Sequence, residues 1–240
     1  LPEVRPGDDL AGLIGQGIER AGLVLEAGDL IVLAQKIVSK AEGCFVALAA
    51  VSVSDRARAL ATVTGKDARY IQVVLDQSRA VLRAVPGVLV VEDHRGFVMA
   101  NAGIDQSNVP GDDQVLCLPR DPDASAARLR TALEQQAGVP LAVLINDSFG
   151  RAWRNGVVGT ALGSSGLQAL GDQRGNLDRE GRPLRITQVA YADELAAAAS
   201  LVMGQGAEGT PVVHVRGVAA LAGSGTVREL LRDPRTDLFR

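Results

Sequence analysis

Val88-Leu89-Val90-Val91-Glu92-Asp93-His94-Arg95-Gly96-Phe97-Val98-Met99-Ala100 is the stretch that decides the fold class. Two apolar runs flank a polar turn closed by glycine, the pattern of a β-hairpin. Outward from it, strands and helices alternate. Asp29–Ala34 and Leu141–Ile145 read as buried strands, and Gln114–Leu118, Leu184–Val189 and Val212–Val215 read as further strands. Ser54 is placed to cap a helix running to Thr64 and stopped by Gly65. Asp67 caps a second, with Ile71, Val74, Leu75 and Ser78 near one face. Asp123 is expected to cap a helix that Gly138 ends, Asp193 to open an alanine-rich helix that Gly204 ends, and Thr226 to cap a last helix through Arg232. A hairpin set among such units favours a mixed sheet and an α+β fold over a purely doubly wound one.

Composition narrows the function classes. A chain of 240 residues with 47% apolar and 22% charged side chains has the make-up of a globular protein. It is long enough to bury roughly 70–75% of the surface its unfolded form exposes. A formal charge of −3 argues against a non-specific nucleic-acid binder. No apolar run approaches the ~18 residues that span a bilayer, and Leu1-Pro2 follows no basic leader, so a soluble cytoplasmic protein is expected. The lack of an initiator methionine suggests missing N-terminal residues. Cys44 and Cys117 form no CxxC pair and read as reduced thiols. His94 falls in a turn and His214 in a strand, which leaves little for a histidine-rich metal site or a Ser-His-Asp triad.

Four segments carry the candidate chemistry. Asn101-Ala102-Gly103-Ile104-Asp105-Gln106-Ser107-Asn108 offers an acid among small polar side chains; it reads either as a hard-cation and phosphate site or as an Asx-type turn. Asn146-Asp147-Ser148-Phe149-Gly150-Arg151 places a carboxylate and a hydroxyl, suitable Mg²⁺ ligands, where a buried strand is expected to end in a loop. Arg151 and Arg154 follow, and guanidinium groups suit phosphate or carboxylate. Gln35–Lys40 holds two of the three lysines, either as point charges for phosphate or as a solvated pair. Gly204-Gln205-Gly206-Ala207-Glu208-Gly209-Thr210 lets backbone amides approach an anion, or simply stops a helix. Neither GxxxxGK[ST] nor a strand–GxGxxG–helix is present, so a nucleotide would be held in another way.

In order and spacing these segments resemble the coenzyme F-420-0:γ-glutamyl ligase (CofE) family over essentially the whole chain. The match runs through Leu1–Leu10, Val38-Ser39-Lys40-Ala41-Glu42-Gly43, Asn101–Asp105 with Ser107-Asn108-Val109, Asp147–Arg151 with Trp153-Arg154 and Gly156, Ala192-Asp193-Glu194, and the Gly204–Pro211 loop. The resemblance implies one ligase domain over residues 1–240, built as two interlocked subdomains and assembled as an intertwined homodimer. It implies GTP-dependent joining of L-glutamate to the terminal carboxylate of the deazaflavin precursor F-420-0, extension of the γ-glutamyl tail, and release of GDP and phosphate. Two Mg²⁺ or Mn²⁺ ions per site and stimulation by K⁺ come with it.

Carried onto this sequence, Asp105 and Asp147 resemble ligands of one metal, and Ser148 and Gln205 ligands of a second. Leu1, Pro2, Glu3, Val4, Gln35, Lys40, Asn108 and the run Met203, Gly204, Gln205, Gly206, Ala207, Glu208, Gly209, Thr210 resemble the GTP contacts. Lys40, Asp105 and Asp147 are the expected catalytic residues. Ser148 stands where threonine is usual, which keeps the hydroxyl; Gln205 offers a neutral amide where a carboxylate is half expected. Arg151 and Arg154, by charge alone, are candidates for the acidic acceptor tail or the incoming glutamate. Family relatives occur alone or fused to a C-terminal flavin-dependent reductase. The competing readings are a nucleotide-dependent ligase for another carboxylate acceptor and a metal- and nucleotide-binding module without turnover.

Overall fold

The computed structural model describes residues 1–106, 111 and 113–237. Asp9 accepts a hydrogen bond from the Gly12 amide at 3.0 Å and so caps α1 (Leu10–Arg20), which buries Leu10, Ala11 and Ile14. β1 (Leu30–Ala34) runs without a loop into α2 (Gln35–Ala41), and β2 (Phe45–Ala47) follows. α3 (Asp55–Thr64) and α4 (Ala68–Asp76) carry the expected caps, Ser54 and Asp67, and Gly65 stops α3 in the left-handed conformation. β3 (Ser78–Val85), β4 (Val88–Asp93) and β5 (Val98–Ala100) form an antiparallel meander, so the expected hairpin is present with one more strand before it. β6 (Gln114–Leu116) pairs with β2.

The second half differs from the sequence reading at several points. α5 (Pro122–Ala137) ends at Gly138 as expected, but its cap is Asp121, whose carboxylate accepts from the Ala124 amide at 3.1 Å. The Asp123 carboxylate instead accepts from the amides of Ser164 and Val227. β7 (Ala142–Arg151) does not end at Ile145: it continues through Asn146-Asp147-Ser148 and turns into β8 (Arg154–Ser165). The supposed second acidic loop is therefore strand. β8 hides in a glycine-rich sequence because helices lie directly on it. A Cβ on Gly159 would come within 2.3 Å of the Ala196 carbonyl oxygen of α6 (Tyr191–Met203). Of Leu184–Val189 only β10 (Gln188–Val189) is strand, paired with β9 (Gly171–Asp172). α6 starts two residues before Asp193, whose carboxylate accepts from the Ala161 amide rather than capping the helix. β11 (Val212–Val215) is as expected, while the last helix is only a 3₁₀ turn, Val227–Leu230, closed by a Thr226/Glu229 capping box.

The main sheet has the order β11-β1-β7-β8, with β1 parallel to β7 and the other pairs antiparallel. That mixture bears out the α+β expectation. Two buried clusters form. One packs α1, α5 and α6 against the main sheet, with Ile31, Leu33, Leu144, Ile145 and Leu162 fully buried. The other gathers Tyr70, Ile71 and Val74 with Leu89, Val91 and Val115 beside the meander. Among the described residues no helix is long and apolar enough to cross a membrane.

Asp29 ties the main sheet together. It is only 2% exposed and stands just before β1. Arg216 donates to both of its carboxylate oxygens at 3.0 and 2.8 Å, His214 Nε2 lies at 2.8 Å, and the Glu26 amide donates at 2.9 Å. The Arg216 guanidinium holds the Asp29 carboxyl well below the usual carboxylate range. Asp29→Ala leaves these donors without their acceptor and is expected to cost about 2–4 kcal/mol, measured by urea unfolding. Because the folded-state pKa is depressed, the stabilisation is complete above about pH 4 and is lost as pH falls towards the folded pKa. The wild-type excess over Asp29→Ala therefore shrinks at low pH.

Candidate active site

Strand register brings the site together. In the parallel β1–β7 pair, Ala34 lies opposite Asn146, so Gln35 and Lys36 leave β1 beside Asp147. Asp105 arrives from the other core. Asn101 and Ala102 both adopt positive φ, 51° and 55°, a left-handed turn that is costly for residues with a Cβ. The Asn101 side-chain oxygen accepts from the Leu89 amide at 3.2 Å, and Ala102 is fully buried, so packing holds the turn. Asp105 then makes two backbone hydrogen bonds of 2.9 Å with Leu116. The segment is thus a strained turn followed by a bridge residue; the Asn101 side chain bonds the distant Leu89 amide and not its own backbone, so the local Asx-type turn is not what forms at Asn101.

The Asp105 carboxylate accepts from Gln35 Nε2 at 2.7 Å and lies 2.9 Å from Lys36 Nζ. Ser39 donates to Gln35 Oε1 at 2.8 Å and so orients that amide. Burial pushes the Asp147 carboxyl up to about 7, and the neighbouring Asp105 charge adds to the rise; Lys36 and the Ser148 amide pull it back. Two mutually repelling carboxylates with an ammonium group beside them form a place for positive charge. Among the described residues no group of three or more His, Cys, Asp or Glu side chains is placed to hold a metal. The donors here are two carboxylates, the Ser148 hydroxyl and the Gln205 amide oxygen. An all-oxygen set short on charge suits Mg²⁺ or Mn²⁺, which keep waters and share substrate phosphates.

Asp147, Ser148 and Gln205 line a cleft of about 460 Å³; Asp105 is not on its wall and meets it through its contacts with Gln35 and Lys36. Its walls are Leu1, Pro2, Glu3 and Val4, then Gln35, Lys36 and Lys40, then Asp147 and Ser148, and the loop from Met203 through Ala207 with Gly209 and Thr210. Lys40 Nζ lies 2.5 Å from Glu3 Oε1. Gln205 Nε2 donates to Ser200 Oγ at 3.0 Å, leaving its amide oxygen for a cation. Gly204 has φ 73° and ψ −179°, a region open essentially to glycine alone. Glu208 does not line the cleft. Its carboxylate folds back to accept from the Gly206 amide at 2.7 Å, and its own amide and that of Gln205 also turn to it, which lowers its pKa. The loop can therefore bind an oxyanion with its amides, and in this structure its own glutamate takes that role.

Asn108 lies outside the described residues. Arg151 and Arg154 are exposed at the β7–β8 tip, four strand residues and so about 13 Å from Asp147, and they do not join the cleft. Lys36, one of the two lysines of Gln35–Lys40, is not among the residues the resemblance singles out, yet it lies on Asp105 and lines the cleft. Asn146 is structural, donating to the Ala196 carbonyl at 3.2 Å.

Comparison with known proteins supplies the family. A sequence model of the family described as F420-0:Gamma-glutamyl ligase matches residues 1–217. A "Coenzyme F420:L-glutamate ligase" of Methanopyrus kandleri is 46% identical over 242 residues, covering 99% of this chain and 94% of that protein. One of the same name from Methanothermobacter thermautotrophicus is 46% identical, covering 100% and 96%. One from Archaeoglobus fulgidus is 42% identical, covering 100% and 93%. The class of protein is thereby that of the ligases. The chain belongs to the F420-0:gamma-glutamyl ligase family.

The raised Asp147 pKa gives this site a pH signature. Below about pH 7 the carboxyl holds a proton that a cation must expel. If Mn²⁺ is held at this carboxyl, its affinity rises up to about tenfold per pH unit below 7 and levels off above it. Calorimetry in buffers of different ionisation heat should find close to one proton released at pH 6 and almost none at pH 8. Without metal the sign reverses for stability: the folded state binds the extra proton between about pH 4 and 7, so this group's contribution falls as pH rises through that window.

Proposed function

We propose that the protein is a GTP-dependent ligase that joins L-glutamate to coenzyme F-420-0, extends the tail by further γ-linked glutamates, and releases GDP and phosphate. The observation that carries this reading is the Asp147 carboxyl, under the charge of Asp105, on the wall of a cleft shared with Lys36, Lys40 and the Gly204–Thr210 loop, in a chain 46% identical to proteins named for L-glutamate ligation. A carboxylate does not condense with an amine in water, because it is a poor electrophile. Transfer of the γ-phosphoryl group from GTP to an acceptor carboxylate oxygen gives GDP and an acyl phosphate. The glutamate amine then attacks the carbonyl carbon, loses a proton and expels phosphate.

Such transfer asks mainly for positioning and neutralised charge. Asp105, Asp147, Ser148 and Gln205 would hold Mg²⁺ or Mn²⁺, which supplies charge neutralisation on the phosphates. Lys36 and Lys40 are already neutralised, by Asp105 and Glu3. Each must exchange its carboxylate partner for phosphate oxygen when nucleotide enters. Gly204–Thr210 offers amides in place of a Walker loop. Stimulation by K⁺, homodimer assembly and a cytoplasmic setting belong to the same reading.

Incubation with F-420-0, GTP, Mn²⁺ and L-glutamate should give products heavier by whole glutamyl units in mass spectrometry. Replacing GTP with ATP should stop the reaction. Asp147→Ala is expected to cut turnover by a factor on the order of 1000 even at saturating Mn²⁺. Wild-type turnover in that variant would refute the metal assignment. Nucleotide binding without product in the wild type would favour a module lacking catalysis.

A further inference from the structure

A second cleft, of about 630 Å³, opens where the two cores meet. That volume is within the range of small-molecule sites, which favour such junctions. Four arginines and His94 line it: Arg79 from β3, Arg95 from the β4–β5 turn, Arg120 ahead of α5, and Arg228 from the last 3₁₀ turn. No aspartate or glutamate lines it, although the chain carries a net charge of −3.

The arginines are unequally committed. Arg95 is held by Asp93 at 2.6 Å and donates to the Pro119 carbonyl at 2.8 Å. Arg79 donates to the His94 carbonyl at 2.8 Å and stands 3.7 Å from Glu92, Arg228 stands 3.6 Å from Asp121, and both side chains are largely exposed. Arg120 makes no hydrogen bond or ion pair among the described residues. Guanidinium charge thus exceeds its local partners. The remaining lining is mostly apolar: Phe45, Val46, Leu118 and Leu231, with the two thiols and the Gln77 amide. Burial and Glu42 raise the Cys44 pKa, while Arg95 and Arg120 draw it down, so their field reaches the cleft floor.

This cleft is linked to the first by two short paths. Gln35 and Lys36 begin α2 in the first cleft, and Cys44, three residues past its end, lines the second; the seven-residue helix is about 10 Å long. Asp105 is hydrogen-bonded to Leu116, the neighbour of Cys117 in the second cleft.

We propose that the cleft between the cores binds an organic anion with phosphate or carboxylate groups beside an apolar body, and that in the ligation this anion is the acceptor rather than the nucleotide. The second half of this inference rests on the function proposed above. Guanidinium forks hold the charge, and the apolar floor takes the body of the molecule.

The test measures binding alone, in wild type, Arg120→Ala and Arg120→Ala/Arg228→Ala. Both residues are exposed, and unchanged Tm values check the fold. F-420-0 is titrated through its chromophore without GTP or glutamate, and GTP separately with Mn²⁺. The F-420-0 Kd should rise about five- to tenfold in the single variant and about fiftyfold in the double, with GTP within twofold of wild type. An F-420-0 Kd that is the same in wild type and double variant overturns the proposal, as does parallel weakening of GTP. Should wild type not bind F-420-0 at all, the acceptor assignment fails, and inorganic pyrophosphate without metal decides the cleft. Binding by wild type that is lost in the double variant supports an anion site there; equal binding by both, or none, overturns it.

Discussion

Parallel pairing of Leu30–Ala34 with Ala142–Asn146 governs the rest of the molecule. Two parallel neighbours cannot be joined by a tight turn, so everything between them has to leave the sheet and return. In this chain the excursion contains the whole second core and the Asp105 segment. The register of that one pair sets Gln35 and Lys36 next to Asp147, and the absence of a loop between β1 and α2 makes the placement rigid. Asp29 secures the same strand at its other end by binding β11 through His214 and the adjoining Arg216.

Much of the fold was legible where local chemistry and tertiary role agree. Ser54, Gly65 and Asp67 do the capping their spacing announces, and Val88–Ala100 turns as a hairpin. The misses share a cause: a residue serving a distant partner looks like a local signal. Asp123 and Asp193 have the look of helix caps, yet their carboxylates satisfy amides of Ser164, Val227 and Ala161. β8 carries glycines because α5 and α6 press on it, and glycine argues against a strand when no neighbour is in view. Only Gln77 separates α4 from β3, so Ser78 reads as helix face. α1 carries Gly12, Gly15 and Gly17, which weaken its helical signal.

The site was legible in a different sense. Spacing alone left Asn101–Asn108 open between turn and ligand, and the family resemblance singled out Asp105 and Asp147. Neither revealed how the ligand-free site satisfies itself. Lys36 lies on Asp105, Lys40 on Glu3, and the Gly206 amide on Glu208. Both lysines of the cleft and this loop amide thus have a carboxylate partner within the chain. Ligand entry is then an exchange of partners in a fixed frame, which lowers the gain from each contact but spares the empty protein unpaired charge.

The parallel pair also has a kinetic meaning. The meander Ser78–Ala100 and the α3–α4 pair are built from partners close in sequence. Leu30 and Ala142 must close a long loop before their pairing gives anything back, and contacts of that kind slow folding. Asp147 meets Lys36 only once that closure is complete. The carboxylate site therefore depends on a pairing of long sequence separation, while the meander of the second core rests on short-range pairs.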